Sequence, residues 1–248
     1  MNDDIERVKK ETWFYEFELP DGSKTKADYP PDILRIHTSR RDALRRILDA
    51  HVPESRHLIA ADISSHQGYF TAELAKRFMH VRGYEYRPES IEKSKLMMQA
   101  LNVSNVDFVQ FDIQKEEVPK KQSFDFVLLY GLLYHMENPV HSLRVASAMS
   151  RQHLLIDTQI FPYDISGRIE DSAYMHQRPV EGIFSLTPDY SAHREGGSTD
   201  FALVPSLNAL TYLLSRFGFT NVKLVEPRED YYEQFLRRTR VIIHAQRV

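Results

Sequence analysis

The sequence predicts an α/β protein built on a doubly wound, mostly parallel, seven-stranded sheet, and three observations carry that expectation. From about residue 57 onward, short apolar runs alternate with helical patterns, the order that places helices on both faces of a parallel sheet. One run, "FDFVLLYGLL" (124–133), is almost wholly apolar, as a strand covered on both faces must be. The last two runs lie too close together for a helical crossover, which predicts an antiparallel hairpin at one edge.

The elements follow in order. "HLIAADI" (57–63) is the first strand, and "YFTAELAKRF" (69–78) spaces Phe70, Leu74 and Phe78 along one helical face. "HVRGYEY" (80–86) is the second strand, after which Pro88 opens a helix through Leu101 at its favoured first position. "VDFVQFDI" (106–113) and 124–133 are the third and fourth strands; "NPVHSLRVASAMS" (138–150) is a helix and "HLLIDTQIF" (153–161) the fifth strand. "PSLNALTYLLSRFGF" (205–219) reads as a helix ended by Gly218, and "NVKLVEP" (221–227) and "TRVIIHAQ" (239–246) complete the sheet. Two segments stand outside this alternation. Residues 1–50 form an N-terminal extension holding an aromatic alternating strand, "WFYEFELPDGSKTK", and a helix, "TSRRDALRRILDAH", which Ser39 caps with Asp42 in its first turn. Residues 162–204, inserted in the main domain (51–248), show little periodicity; a segment that long inside a compact domain is expected to be functional, here a lid.

Composition narrows the function class. The 248 residues are 42% hydrophobic and 27% charged, with no cysteine, so there is no disulfide, thiolate metal site or cysteine nucleophile. No apolar run is long enough to span a bilayer, and "MNDDIERVKKETW" lacks the apolar core of a signal peptide; a cytoplasmic protein without a membrane partner is expected. A net charge of −3 with a single basic run, "FLRRTR" (235–240), disfavours nucleic acid as a partner. The histidines are scattered without metal-ligand spacing, so no metal is expected.

In a doubly wound sheet, ligands sit beyond the carboxyl ends of the strands, and there the sequence places acids. Strand one ends at Asp62, with Gly68 opening the next helix; strand two ends at Glu85, twenty-three residues later, where a carboxylate accepts both ribose hydroxyls. Strand three ends at Asp112, suited to an exocyclic amine such as that of adenine, and strand four runs into Tyr130, Gly131, Tyr134 and His135. Three acids at successive strand ends fit an adenosine ligand without a pyrophosphate, because the loop lacks Gly-x-Gly-x-x-Gly.

On these residues the chain resembles the class I S-adenosylmethionine-dependent methyltransferases, over about residues 12–246. Their first loop reads Asp-hydrophobic-Gly-x-Gly-x-Gly; "DISSHQG" keeps Asp62 and Gly68 and puts Ser64 and His66 where the other glycines belong. "FDFVLLYGLLYHMENPVHSL" is similar to the fourth-strand motif, and with "IDTQI", "VPSLNALTYLLSRFGFTNV" and the N-terminal "LPDG" it resembles the branch containing the bacterial enzyme that modifies the tRNA wobble uridine. The resemblance implies the Rossmann-like methyltransferase fold, S-adenosylmethionine as donor and S-adenosylhomocysteine as product. It implies cofactor contacts from Asp62, Ser64, Ser65, Gly68, Glu85, Tyr86, Asp112, Ile113 and Tyr130.

Methyl transfer from a sulfonium is largely a matter of positioning, plus removal of the acceptor's proton. His135, after strand four, is the candidate base, since histidine titrates near neutrality. Tyr134, Tyr163, Tyr174, His176, Arg178 and His193, with Tyr190 and Arg194, offer aromatic walls and cationic donors to a planar or anionic acceptor. Trp13, Tyr15 and His37 are candidates to close the pocket from the other side. The expected activity is methylation of O or N on a small-molecule acceptor. The alternatives are a tRNA-modifying transferase and a non-catalytic binding module of the same fold.

Overall fold

The structure, a computed structural model, describes residues 3–170, 177–189 and 199–247, apart from the side chains of residues 170, 177 and 178. The N-terminal extension comprises α1 (Asp3–Lys10), β1 (Thr12–Trp13), β2 (Lys26–Ala27) and α2 (Pro31–His51). The alternating core follows as β3 (Ile59–Ile63), α3 (Tyr69–Ala75), β4 (His80–Glu85), α4 (Pro88–Ala100), β5 (Val106–Gln110), β6 (Phe124–Tyr130), α5 (Pro139–Met149) and β7 (Ser150–Gln159). Then come β8 (Ser166–Glu170), β9 (Gln177–Glu181), β10 (Phe184–Pro188), β11 (Phe201–Pro205), α6 (Leu207–Arg216), β12 (Asn221–Leu224), α7 (Glu233–Leu236) and β13 (Arg240–Gln246). Among the described residues no helix is long and apolar enough to cross a membrane.

The main sheet has seven strands in the order β12-β13-β7-β6-β3-β4-β5. All neighbours from β7 to β5 pair in parallel, while β13 runs antiparallel between β7 and β12. The order reverses beside β3: the chain goes outward through β4 and β5, then returns to lay β6 on the other flank. That switch point opens a crevice at the strand ends. β6 is buried along its whole length, and its alternation divides the core. Phe126 and Leu128 face a cluster with Leu44, Phe70 and Met97, while Val127 and Leu129 face Leu143, Ile156 and Leu210, because successive strand side chains point to opposite faces.

Three expectations are corrected here. The aromatic segment forms a strand only at Thr12–Trp13, and beyond it pairs at one isolated antiparallel bridge, Glu18 with Lys24. Along it Trp13, Tyr15, Phe17 and Leu19 are alternately buried, with Thr25 N–H bonding Phe17 O and Leu19 N–H bonding Ser23 O around that bridge; the period of two records one face against the core over a stretch longer than its short ladder. The following helix starts eight residues before Ser39, at Pro31, where a missing N–H costs nothing. Ser39 lies inside it, donating to Arg35 O at 2.7 Å and accepting from Tyr232 N–H at 2.9 Å, so it docks the C-terminal region rather than capping. In the insertion, β8–β9 and β10–β11 form antiparallel hairpins, whose alternation is too short to stand out in sequence.

The β7–β13 pairing brings two buried histidines together. His153 Nδ1 lies 3.0 Å from His244 Nε2, and the His51 ring is 4.6 Å from that of His244. Burial, then the neighbouring imidazoles, push His153 down to about 4 and His244 to about 3. The unfolded chain takes up these protons from about pH 6.5 downward, so the contribution is complete above pH 6.5 and is lost as pH falls toward 4. Each unit of displacement corresponds to about 1.4 kcal/mol. Asp62, raised to about 7 by burial, works in the opposite direction. The expected result is therefore comparative: between pH 7 and 5 the urea midpoint of His244→Phe falls less than that of the parent. Equal slopes would show that the pair does not control acid stability.

Candidate functional site

The crevice at the switch point is a cleft of about 980 Å³, counting its open mouth. One wall comes from the loop after β3 and the end of β4, with Ile63, Ser64, His66, Glu85 and Tyr86 lining it. Phe111, Asp112 and Ile113 follow β5, Tyr130 ends β6, and Gly131, Tyr134 and His135 follow it. Phe14 and Tyr15 of the N-terminal segment and Arg40 of α2 close the remaining side.

The loop after β3 keeps a glycine-type backbone without the glycines. Ser64, His66 and Gly68 have φ of 63°, 49° and 81°, left-handed values that cost an L-residue roughly 1–2 kcal/mol. Bonds to β4 hold the turn: Ser64 N–H and Ser65 N–H both donate to Tyr84 O, and His66 N–H donates to Glu85 Oε2 at 2.9 Å. The His66 ring packs 4.7 Å from Phe14, and Gln67 accepts the Phe14 N–H at 2.8 Å. Side-chain packing under the N-terminal segment thus offsets the backbone strain at His66. Ser64→Gly should raise stability by about 1 kcal/mol in urea unfolding, whereas His66→Gly should not, because it deletes that packing. A destabilised Ser64→Gly would mean that the serine side chain supports the loop.

Glu85 is 4% exposed. Its second oxygen accepts Arg87 N–H at 2.9 Å, and burial raises its pKa although these backbone bonds favour the charge. Asp112 accepts Gln114 N–H through Oδ1 and pairs with Lys115 through Oδ2 at 3.2 Å. Asp62, Ser65 and Gly68 stand behind the lining: Asp62 accepts the Thr71 hydroxyl at 2.6 Å, and a Cβ on Gly68 would meet Met98 at 3.1 Å. They shape the loop from within.

The floor carries a charge cluster with no signal in the sequence. Asp157, at the end of β7, takes Arg40 at 2.5 Å and Arg240 at 2.8 Å on one oxygen, all three being buried. Burial opposes the charge of Arg40, but Asp157, with Tyr134 and Tyr15, together outweigh it and the pKa is raised. A Cβ on Gly131, whose φ is +70°, would lie 2.9 Å from Arg40 Nη2, so the guanidinium needs glycine there. Arg40 Nε, Asp157 Oδ1 and both ring nitrogens of His37 are buried and make no hydrogen bond among the described residues. Polar atoms left so expensively unsatisfied fit the polar end of a ligand beside Arg40. Together with the carboxylates of Glu85 and Asp112 and the apolar Phe111 and Ile113, the residues present fit an adenosyl sulfonium carrying an amino-acid tail.

Of the candidate acceptor residues, the structure brings Tyr134, His135 and Tyr15 to the cleft. Trp13 is corrected: it is fully buried, its indole N–H donating to Val8 O at 2.8 Å, and Phe14, one residue on, faces the cleft instead. Tyr163 is 71% exposed and packs on Phe161, away from the lining. Tyr174, His176, Tyr190, His193 and Arg194 lie outside the described residues, as does the side chain of Arg178. Sequence reasoning missed Phe14, Arg40 and His66 as lining residues. The absence of glycine at that motif position was the one sign in the sequence for His66.

A family model described as "Methyltransferase domain" matches residues 55–173. Among curated proteins, the chain is 25% identical over 181 residues to a tRNA U34 carboxymethyltransferase from Desulfotalea psychrophila (71% of this chain, 50% of that protein). It is 24% identical over 182 residues to one of the same name from Aliarcobacter butzleri (67% and 49%). The chain spans about half the length of these relatives. Among solved structures, the N-terminal domain of EvdMO1, in the presence of SAH and D-fucose, superposes with a TM-score of 0.72 at 18% identity, over 99% of this chain and 96% of that one. The magnesium protoporphyrin IX methyltransferase of Synechocystis PCC 6803 with bound SAH gives 0.57 at 16% identity, over 88% and 86%; at such identities the likeness speaks for the fold. By its strand order and acid-ended strands the chain has the Rossmann-like fold of the class I S-adenosylmethionine-dependent methyltransferases, carries a segment similar to the methyltransferase domain, and is similar in sequence to tRNA U34 carboxymethyltransferases.

Proposed function

We propose that the chain transfers a methyl group from S-adenosylmethionine to an oxygen or nitrogen of a small-molecule acceptor. The observation that carries this reading is one cleft lined at one end by Ser64, Glu85 and Asp112 and at the other by Tyr134 and His135. Glu85 accepts from the ribose, Asp112 and Ile113 border the adenine, Tyr86 flanks it at the rim, and Tyr130 closes the floor. When bound, the cofactor supplies a methyl group on a sulfonium, whose sulfur is already a good leaving group. His135 then removes the acceptor's proton; burial lowers its pKa, so the imidazole is neutral and able to accept at pH 7. A structural neighbour crystallised with SAH and D-fucose supports a small hydroxylated acceptor.

The test is calorimetric titration with S-adenosylmethionine and S-adenosylhomocysteine, followed by a labelled-methyl screen of small hydroxyl and amine acceptors. His135→Ala is expected to lower turnover about 10²–10⁴-fold across pH 6–9 while keeping S-adenosylhomocysteine affinity; undiminished turnover would remove the base. A second reading, a tRNA-modifying transferase, is favoured by the names of the curated relatives and by the floor, where two guanidiniums share one carboxylate and leave positive charge for an anionic group. A salt-sensitive tRNA gel shift supports that reading. No shift at low salt removes it.

A further inference from the structure

The insertion brings one residue against His135 of the cleft lining that its position in the sequence does not suggest. Asp189 lies just beyond β10, fifty-four residues from His135, and its Oδ2 is 3.0 Å from His135 Nδ1. A run of backbone bonds fixes this meeting. β10 and β11 pair through Pro188↔Phe201, and the next rung, Asp189 N–H to Asp200 O at 3.0 Å, extends the ladder to Asp189 itself. The hairpin is tied to the core beside the histidine, because Leu203 N–H donates to Met136 O at 2.9 Å. At its base, Ser206 Oγ accepts Ile183 N–H at 3.0 Å. The carboxylate is therefore delivered by a paired strand.

His135 sits in a single helical turn, Leu133–His135, and lines the cleft. Its ring lies 4.1 Å from that of Tyr134, and the other charges acting on it are those of Arg240 and Arg87. Both are cations, so Asp189 is the one carboxylate facing it among the described residues. Nε2 makes no hydrogen bond that the described residues record. A neutral imidazole carries one proton, and a carboxylate against Nδ1 fixes it there.

We propose that Asp189 is a positioning residue: by accepting the Nδ1 proton of His135 it holds the tautomer whose bare Nε2 faces the acceptor. This rests on the methyl-transfer reading above. As the acceptor's oxygen or nitrogen bonds to the methyl carbon, the carbon–sulfur bond breaks and its electron pair stays on sulfur. The acceptor's proton goes to Nε2, and Asp189 faces the resulting imidazolium.

The test is long-range ¹⁵N–¹H spectroscopy of the histidine rings in the full chain, with His135→Gln assigning the signal. At pH 8 the parent is expected to show His135 protonated at Nδ1 and bare at Nε2. In Asp189→Asn the apparent pKa of His135 drops by about one unit, the least expected from removing a carboxylate in contact. With the acceptor from the screen, kcat of Asp189→Asn falls about 10²-fold with KM and S-adenosylhomocysteine affinity within twofold. Asp189→Glu recovers part of the loss. A parent His135 protonated at Nε2, or an unchanged pKa and kcat in Asp189→Asn, overturns the proposal. The parent spectrum decides the tautomer even if the variants do not fold. Failure of the parent to bind S-adenosylhomocysteine would instead count against the methyl-transfer reading, leaving the tautomer result intact.

Discussion

Asp157→Ala is expected to destabilise the protein by about 3–5 kcal/mol, the cost of removing one partner from a buried ion cluster. Asp157 is fully buried, and both Arg40 and Arg240 converge on its Oδ2. Without it, two guanidiniums of 5% and 3% exposure would face each other with no counter-charge in a region of low dielectric. Arg40 has no way to neutralise itself, because guanidinium stays protonated in proteins. For a chain of this size each kcal/mol corresponds to about 2–4 °C, so Tm should drop by about 10 °C. Arg40→Met should cost less, because Arg240 still satisfies the carboxylate. Urea unfolding of the two variants decides the matter: a loss under 1 kcal/mol in Asp157→Ala would mean that water reaches the cluster. The same substitution should disturb the cleft, since Gly131 N–H donates to Asp157 O and Arg40 lies against Gly131.

Glu85→Ala should abolish cofactor binding at accessible concentrations. A hydrogen bond to a charged group contributes about 1.5–3 kcal/mol, and a ribose diol offers two, so the expected weakening is about 10²–10⁴-fold. The carboxylate also braces the loop, because its oxygens accept His66 N–H and Arg87 N–H. Glu85→Gln separates the two roles: it keeps the shape and one acceptor, and should bind with intermediate affinity. Since burial raises the pKa of Glu85, parent affinity should also weaken on acidification, as protonation removes acceptor capacity. Calorimetry with S-adenosylhomocysteine on folded variants is the measurement. Unchanged affinity in Glu85→Ala would place the ribose elsewhere.

The sequence by itself determined the sheet, its seven strands and the acids at their ends. Those features are written in local periodicity: an apolar run fully covered by helices has to read as β6 does, and a carboxylate at a strand end reaches the switch point whatever the distant packing. It also carried the loop after β3, where Ser64 and His66 stand in for glycine, although only the structure showed that the left-handed backbone persists without glycine. Contacts between remote segments were decided by tertiary structure alone. Arg40, Asp157 and Arg240 come from an N-terminal helix and two separated strands, and no spacing rule links them. Trp13 and Phe14 exchange roles because successive side chains of the extended segment take opposite faces, and the packing against the core, not the residue type, sets which face is buried and which meets the cleft. Asp189 reaches His135 through a hairpin whose register is fixed by its partner strand and by one bond to Met136. Periodicity reports which face of an element is buried; it carries no information about which distant element covers that face. At this cleft the covering elements supply the charges.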